Sequence, residues 1–186
     1  MTELIYAIHQ NNTAKALEII ESGLYDPEYI DSDGYTSLTW ACRMNMSDVA
    51  QALISTGNAK PEHVTMFGNT ALSRACYNNM SNVAMALIAT GKSIPEQVNI
   101  RGYTALMWAC RMNMTDVAMA LIATGKSKPE QIDNFYGETA LIYAIRNNMT
   151  DVINALENYD NYMASLQQHT QSNPYDDPNY VMTIDI

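Results

Sequence analysis

Covalent or metal chemistry in this chain would have to come from its histidines, cysteines and carboxylates. The histidines are His9, His63 and His169, and their spacing puts no two at a common register. Nucleophilic catalysis needs a hydroxyl or thiol within hydrogen-bond reach of a base, and no Ser/His/Asp or Cys/His arrangement follows from these positions. Cys42, Cys76 and Cys110 do share a register, 34 residues apart. A disulfide needs Cα atoms within about 7 Å, whereas stacked helices lie about 8–10 Å apart, so equivalent positions in adjacent units cannot be bridged. The three thiols read as small buried residues of a reducing compartment. Glu28, Glu62, Glu96 and Glu130 recur directly after proline. One unit apart on an outer loop, they are too distant to act as a general acid–base pair. No glycine loop of the phosphate-cradling kind occurs. The expectation is a non-enzyme, with no metal site and no cofactor.

Binding chemistry is better supplied. The residue after each recurring glycine is Tyr35, Asn69, Tyr103 or Glu138. Five positions on come Trp40, Arg74, Trp108 and Tyr143, then Arg43, Tyr77, Arg111 and Arg146, then Met44, Asn78, Met112 and Asn147. Trp, Tyr, Arg and Met are enriched in interface cores and hot spots. The five arginines, including Arg101, all fall on first helices or turn tips, whereas Lys15, Lys60, Lys92, Lys126 and Lys128 fall on second helices or outer loops. Arginine's planar fork suits desolvated pairing with carboxylates; lysine's hydrated ammonium suits solvent.

The elements that must position these residues form a repeat. Similar units start at Gly34, Gly68, Gly102 and Gly137, spaced 34, 34 and 35 residues, and a unit without its opening glycine precedes them. A fixed period of this size marks a stacked solenoid. In the unit from Gly34, Thr36 is placed to cap a short helix whose apolar face is Leu38, Ala41 and Cys42. Asn45 takes the left-handed turn, and Ser47 caps a second helix with the stripe Val49, Ala50, Leu53 and Ile54. Gly57 closes that helix, and Pro61 lies in an extended loop returning to the next turn. The Asn-x-Ser/Thr sequences at Asn11, Asn45, Asn79, Asn113 and Asn148 are read as these turns, not as glycosylation acceptors.

A helix–turn–helix with a returning loop at this period resembles the ankyrin repeat. The resemblance rests on Gly-x-Thr-x-Leu at Gly34–Leu38, Gly68–Leu72, Gly102–Leu106 and Gly137–Leu141, and on the small pairs Ala41-Cys42, Ala75-Cys76 and Ala109-Cys110. Leu53–Gly57, Leu87–Gly91 and Leu121–Gly125 match the family's Leu-Leu-x-x-Gly ending. This chain departs from the family's Thr-Pro-Leu-His, which becomes TSLT, TALS, TALM and TALI, and so lacks the usual Thr–His hydrogen bond. The resemblance implies an all-α solenoid of stacked helix–turn–helix units joined by extended, hairpin-like loops. Residues 1–168 would hold five repeats, at about 1–33, 34–67, 68–101, 102–136 and 137–168, with the last helix running to Gln168. Residues 169–186 form an acidic extended tail.

The resemblance also implies a protein-binding module whose concave face meets a partner. The residues assigned to that face are Tyr35, Trp40, Arg43, Met44, Arg74, Tyr77, Arg101, Tyr103, Trp108, Arg111, Met112, Tyr143 and Arg146. Trp40, Trp108 and Tyr143 are the expected anchors, and the arginines would meet acidic or carbonyl groups. The formal charge of −10 argues against nucleic acid, which needs a basic stripe. Six of the twenty acidic residues follow Arg146, with no Lys or Arg among them. No apolar run reaches the roughly 18 residues of a membrane span, and the N-terminus has no signal-peptide pattern. The expected protein is a soluble monomer of the cytoplasm, including that of a host. The alternatives are self-assembly through the groove, or an adaptor whose tail is a linear motif.

Overall fold

The computed structural model describes residues 2–159. The expected end of the last helix at Gln168 and the acidic tail lie outside the described residues. Helices come in antiparallel pairs: α1 (Glu3–His9) with α2 (Thr13–Ser22), α3 (Ser37–Arg43) with α4 (Ser47–Ser55), and α5 (Ala71–Tyr77) with α6 (Ser81–Ala89). They continue with α7 (Ala105–Arg111) and α8 (Thr115–Ala123), then α9 (Ala140–Arg146) and α10, helical from 150 to 159. First helices pack in one row, α1, α3, α5, α7, α9, and second helices in another, α2, α4, α6, α8. No strand occurs among the described residues. The chain is an all-α solenoid of stacked helix–turn–helix units.

Helices of seven to ten residues are too short to persist alone, so packing and caps must hold them. Ala41, Cys42, Ala75, Cys76, Ala109, Cys110 and Ala144 are fully buried in the first-helix row, where only small side chains let neighbouring helices close on one another. At the N-termini, Thr36, Thr70 and Thr104 accept the backbone N–H three residues on. Thr39 Oγ1 and Ser73 Oγ accept the reciprocal bond from the cap backbone at 2.7 and 3.0 Å. These two hydroxyls complete a capping box where the family would place histidine.

Between the helices of each pair, Asn11, Asn45, Asn79, Asn113 and Asn148 take φ of 52–58°, the left-handed value that asparagine tolerates. The second helices differ from expectation. Ser47, Ser81 and Thr115 are their first helical residues, and the cap positions are held by Met46, Met80 and Met114, which make no side-chain cap bond. The first pair keeps a true cap, Asn12, accepting from Lys15 N at 3.0 Å. Burial explains the exchange: the three methionines are 4–5% exposed. Burying such a side chain contributes about 1.5–3 kcal/mol, more than the roughly 1 kcal/mol of a cap.

Neighbouring fingertips also touch. Ile100 N donates to Phe67 O at 3.1 Å, and Asn134 N to Arg101 O at 3.0 Å. Gly102, at φ +82°, needs glycine twice over, since a Cβ there would lie 2.9 Å from Asn134 N and from Ile132 O. The extra residue in the 35-residue spacing sits in the last tip. That turn runs from Asp133 to Glu138, whereas the earlier ones run Asp31–Tyr35, Thr65–Asn69 and Asn99–Tyr103.

If burial outweighs capping at these positions, Met80→Asn, which restores the Asn12 arrangement, lowers unfolding stability by about 1 kcal/mol or more. Urea denaturation reads this directly; a stabilised variant would show the cap to be the larger effect.

Candidate functional site

Each fingertip is built around one side chain at its base. Asp31 Oδ1 accepts from Asp33 N and Tyr35 N at 3.0 and 2.8 Å. Asn99 Oδ1 accepts from Arg101 N and Tyr103 N at 2.9 and 3.0 Å. Asp133 Oδ1 accepts from Phe135 N and Tyr136 N at 2.8 and 2.7 Å. The second carboxylate oxygens reach the next first helix, from which Trp40 Nε1 donates to Asp31 at 2.6 Å and Tyr143 Oη to Asp133 at 3.0 Å. The sequence reading did not single out Asp31, Asn99 or Asp133. Their signal was an Asp or Asn repeating three or four residues before a glycine, where such side chains close turns.

This geometry moves several expected contact residues inward. The residue after each glycine closes the turn instead of capping its tip, so Tyr35 and Tyr103 are 1% and 2% exposed. Tyr35 packs on Trp40 with ring centroids 4.6 Å apart, and Tyr103 stacks on Trp108 at 4.2 Å. Trp40, Trp108 and Tyr143 are likewise buried. They are not free anchors, because each indole is enclosed between its own tip tyrosine and a ring of the preceding unit, His9 for Trp40 and Tyr77 for Trp108. Met44 and Met112 are half-buried against the core. From the second unit on, the rings an approaching molecule would meet are Tyr77, Phe67, Phe135 and Tyr136, 42–65% exposed. Of these the sequence reading named only Tyr77. Phe67 and Tyr136 stand directly before a glycine and Phe135 one residue earlier, an unusual place for large apolar residues to face solvent.

The arginines separate into two kinds. Arg146 makes a bidentate ion pair with Glu138 and so carries no spare charge outward. Arg43, Arg74, Arg101 and Arg111 enter no ion pair among the described residues. Aromatic faces hold Arg43, Arg101 and Arg111 instead, and Arg74 donates to the Tyr35 hydroxyl at 3.3 Å. The Arg43 guanidinium lies 4.7 Å from the Trp40 ring centre, and Arg101 lies 5.8 Å from that of Phe135. Arg111 sits within 5.5–5.9 Å of Tyr103, Trp108, Tyr136 and Tyr143, and donates to Tyr103 Oη at 2.8 Å. Such contacts fix a guanidinium without neutralising it.

Below Arg111 the phenols continue inward, with Tyr103 Oη 3.2 Å from Tyr143 Oη. Burial pushes the Tyr143 hydroxyl far above its ordinary range, reinforced by its bonds to Tyr103 and Asp133. Burial also acts to raise Asp133, but donors outweigh it: the Tyr136 and Phe135 N–H groups, the Tyr143 hydroxyl and the Glu138 N–H. Together they hold this carboxyl below its usual value.

Third-unit chemistry breaks the pattern. Asn69 and Arg74 stand where the second and fourth units have Tyr and Trp, and a cleft of about 400 Å³ opens there. Its wall includes Arg43, Arg74 and Arg101. A second hollow of about 330 Å³ adjoins it across Tyr77 and Trp108. The histidines take no part: His9 packs on Trp40, and His63 Nε2 contacts Gly34 O at 2.8 Å between loops. His169 lies outside the described residues. No cluster of three or more metal-ligating side chains occurs among the described residues, and none of their helices is long and apolar enough to cross a membrane.

Burial pushes the Cys42 and Cys110 thiols up to about 12, and Cys76 well above its ordinary range. The thiolate is the reactive form, so a disulfide-exchange dye at pH 8 is expected to label none of the three until urea unfolds the chain. A second expectation concerns acid. With a folded pKa below its unfolded value, Asp133 stabilises at neutral pH, and that contribution fades as pH falls below about 4. Asp133→Asn is therefore less stable than wild type at pH 7, and the gap between the two denaturation curves narrows on acidification.

A family model for ankyrin repeats, spanning three copies, matches residues 72–165. No curated protein matches the chain. The model covers half the sequence, and its span takes in the third and fourth units, whose Thr-capped first helices and left-handed asparagine turns recur in the second. With one stacking geometry running through these units, the chain belongs to the ankyrin repeat family.

Proposed function

We propose that this chain is a non-enzymatic module that binds a partner protein through its first-helix row and fingertips, with arginine side chains meeting acidic or carbonyl groups. Ankyrin repeats are in general protein–protein interaction modules. The observation that carries the reading is the set Arg43, Arg74, Arg101 and Arg111, held by rings or hydroxyls and unpaired with any carboxylate among the described residues. A chain with formal charge −10 has ample carboxylate to neutralise four arginines, yet no acid among the described residues pairs with them. Exposed Phe67, Ile100, Phe135 and Tyr136 lie along the same tips, giving apolar area beside charge, as interface cores do.

The buried tryptophans are poor test positions, because truncating a buried aromatic costs about 3–5 kcal/mol and threatens the fold. The exposed arginines are better. Affinity capture from a cell extract compares the full chain, Arg43→Glu/Arg111→Glu, and the outer-loop control Lys126→Glu. Proteins retained by the control and lost by the double variant are the expected result. Identical recovery by all three folded chains removes the surface from consideration.

A further inference from the structure

The cleft in the third unit has a structural cause. In the second and fourth units a tip tyrosine packs on an indole and fills the space between fingertip and first helix. The third unit replaces this pair with Asn69 and Arg74, and the filling ring is missing. Arg74 is half-buried at the back of the space that results. One guanidinium nitrogen donates to Tyr35 Oη at 3.3 Å, while Nε is buried and has no hydrogen-bond partner. A buried N–H of a charged group left unsatisfied costs free energy, and a ligand acceptor would recover it. Arg43 and Arg101 flank the opening, each oriented by an aromatic ring.

We propose that this cleft is a carboxylate-binding site that receives an acidic segment of the partner, with an aspartate or glutamate side chain on Arg74. The inference rests on the interaction reading above and specifies it. Three guanidiniums converge on one opening, and no ion pair among the described residues engages any of them. That fits a ligand with more than one negative charge. Arginine's fork takes a carboxylate through two parallel N–H donors, and a half-buried site screens such a pair less than open solvent does. Phe67 and Ile100 stand at the rim, 42% and 64% exposed, so the segment carries an apolar residue beside its acids. The floor is rigid: Asn99 Nδ2 donates to Asn69 Oδ1 at 3.0 Å, and the backbone of Ile100 is tied to Phe67. Little ordering is therefore left to binding itself.

The test is selection of a random-peptide display library on the immobilised full-length chain, followed by calorimetry with the enriched peptides. Winners should carry two or more Asp or Glu next to an apolar residue. Their affinity should fall at least tenfold in Arg74→Gln, several-fold in Arg101→Gln, and not at all in Lys126→Gln, with circular dichroism confirming that all are folded. Replacing the peptide's acids with their amides should have the same effect as Arg74→Gln. Neutral or basic winners, no enrichment, or equal affinity for Arg74→Gln would each overturn the assignment. So would inorganic phosphate binding more tightly than the selected peptides, which would give the cleft to a phosphorylated ligand. If the capture experiment loses partners while this selection fails, the interaction reading stands and the cleft assignment falls.

Discussion

The contact on which the rest depends is that between neighbouring first helices, made by alanine and cysteine. No unit buries its own apolar face, so each must lie against the next, and fully buried small residues at Ala41-Cys42, Ala75-Cys76 and Ala109-Cys110 make that contact. A larger side chain there would separate the row. The fingertips would part with it, and the bonds from Ile100 to Phe67 and from Asn134 to Arg101 would open. The cysteines are thus packing residues, and the burial that serves packing also keeps their thiols protonated.

A second order is superimposed on this one, with a period of two units. The second and fourth units carry Tyr, Trp, Arg and Met on their inner positions; the third and fifth carry asparagine at the last of these. Asn78 Nδ2 donates to Cys42 O and Arg43 O at 2.7 and 3.1 Å, and Asn147 Nδ2 to Cys110 O and Arg111 O at 2.7 and 3.2 Å. Each asparagine satisfies carbonyls that the preceding helix leaves open at its C-terminus. The Trp-bearing units therefore receive a cap from the unit that follows. The 22 of 29 identities between Gly34–Glu62 and Gly102–Glu130 belong to this alternation, and Arg74 and its cleft are what the alternation leaves between two filled units.

How much of this was legible in residues alone depended on how local the cause was. Helix starts at Thr36, Thr70 and Thr104, turns at the five asparagines, and burial of the cysteines follow from single positions and their neighbours. The caps of the second helices were misplaced onto Ser47, Ser81 and Thr115, because a hydroxyl before an apolar stripe looks like a cap, and the burial of Met46 can be judged only once the units are stacked. The same limit governs the surface. That Tyr35, Trp40, Tyr103, Trp108 and Tyr143 face inward, and that Arg146 is taken up by Glu138, are facts about turns bending back over the next helix. Arg43, Arg74 and Arg111 could be placed by register, and Arg101 beside its tip glycine. Phe67, Phe135 and Tyr136 could have been found as large apolar residues inside turns.

The chain of groups from Arg111 through Tyr103 and Tyr143 to Asp133 has a consequence for the placement of its hydrogens. An ionised Asp133 only accepts, so the Tyr143 hydroxyl must give its proton to it. Tyr143 oxygen is then left to accept from Tyr103, and Tyr103 oxygen to accept from Arg111. Every hydroxyl along the line points the same way, and the two ends, a cation and an anion, set the polarity. Tyr103 has no proton left to offer outward. A carbonyl arriving above Arg111 therefore finds no donor in Tyr103, and the guanidinium that Tyr103 holds is what faces it.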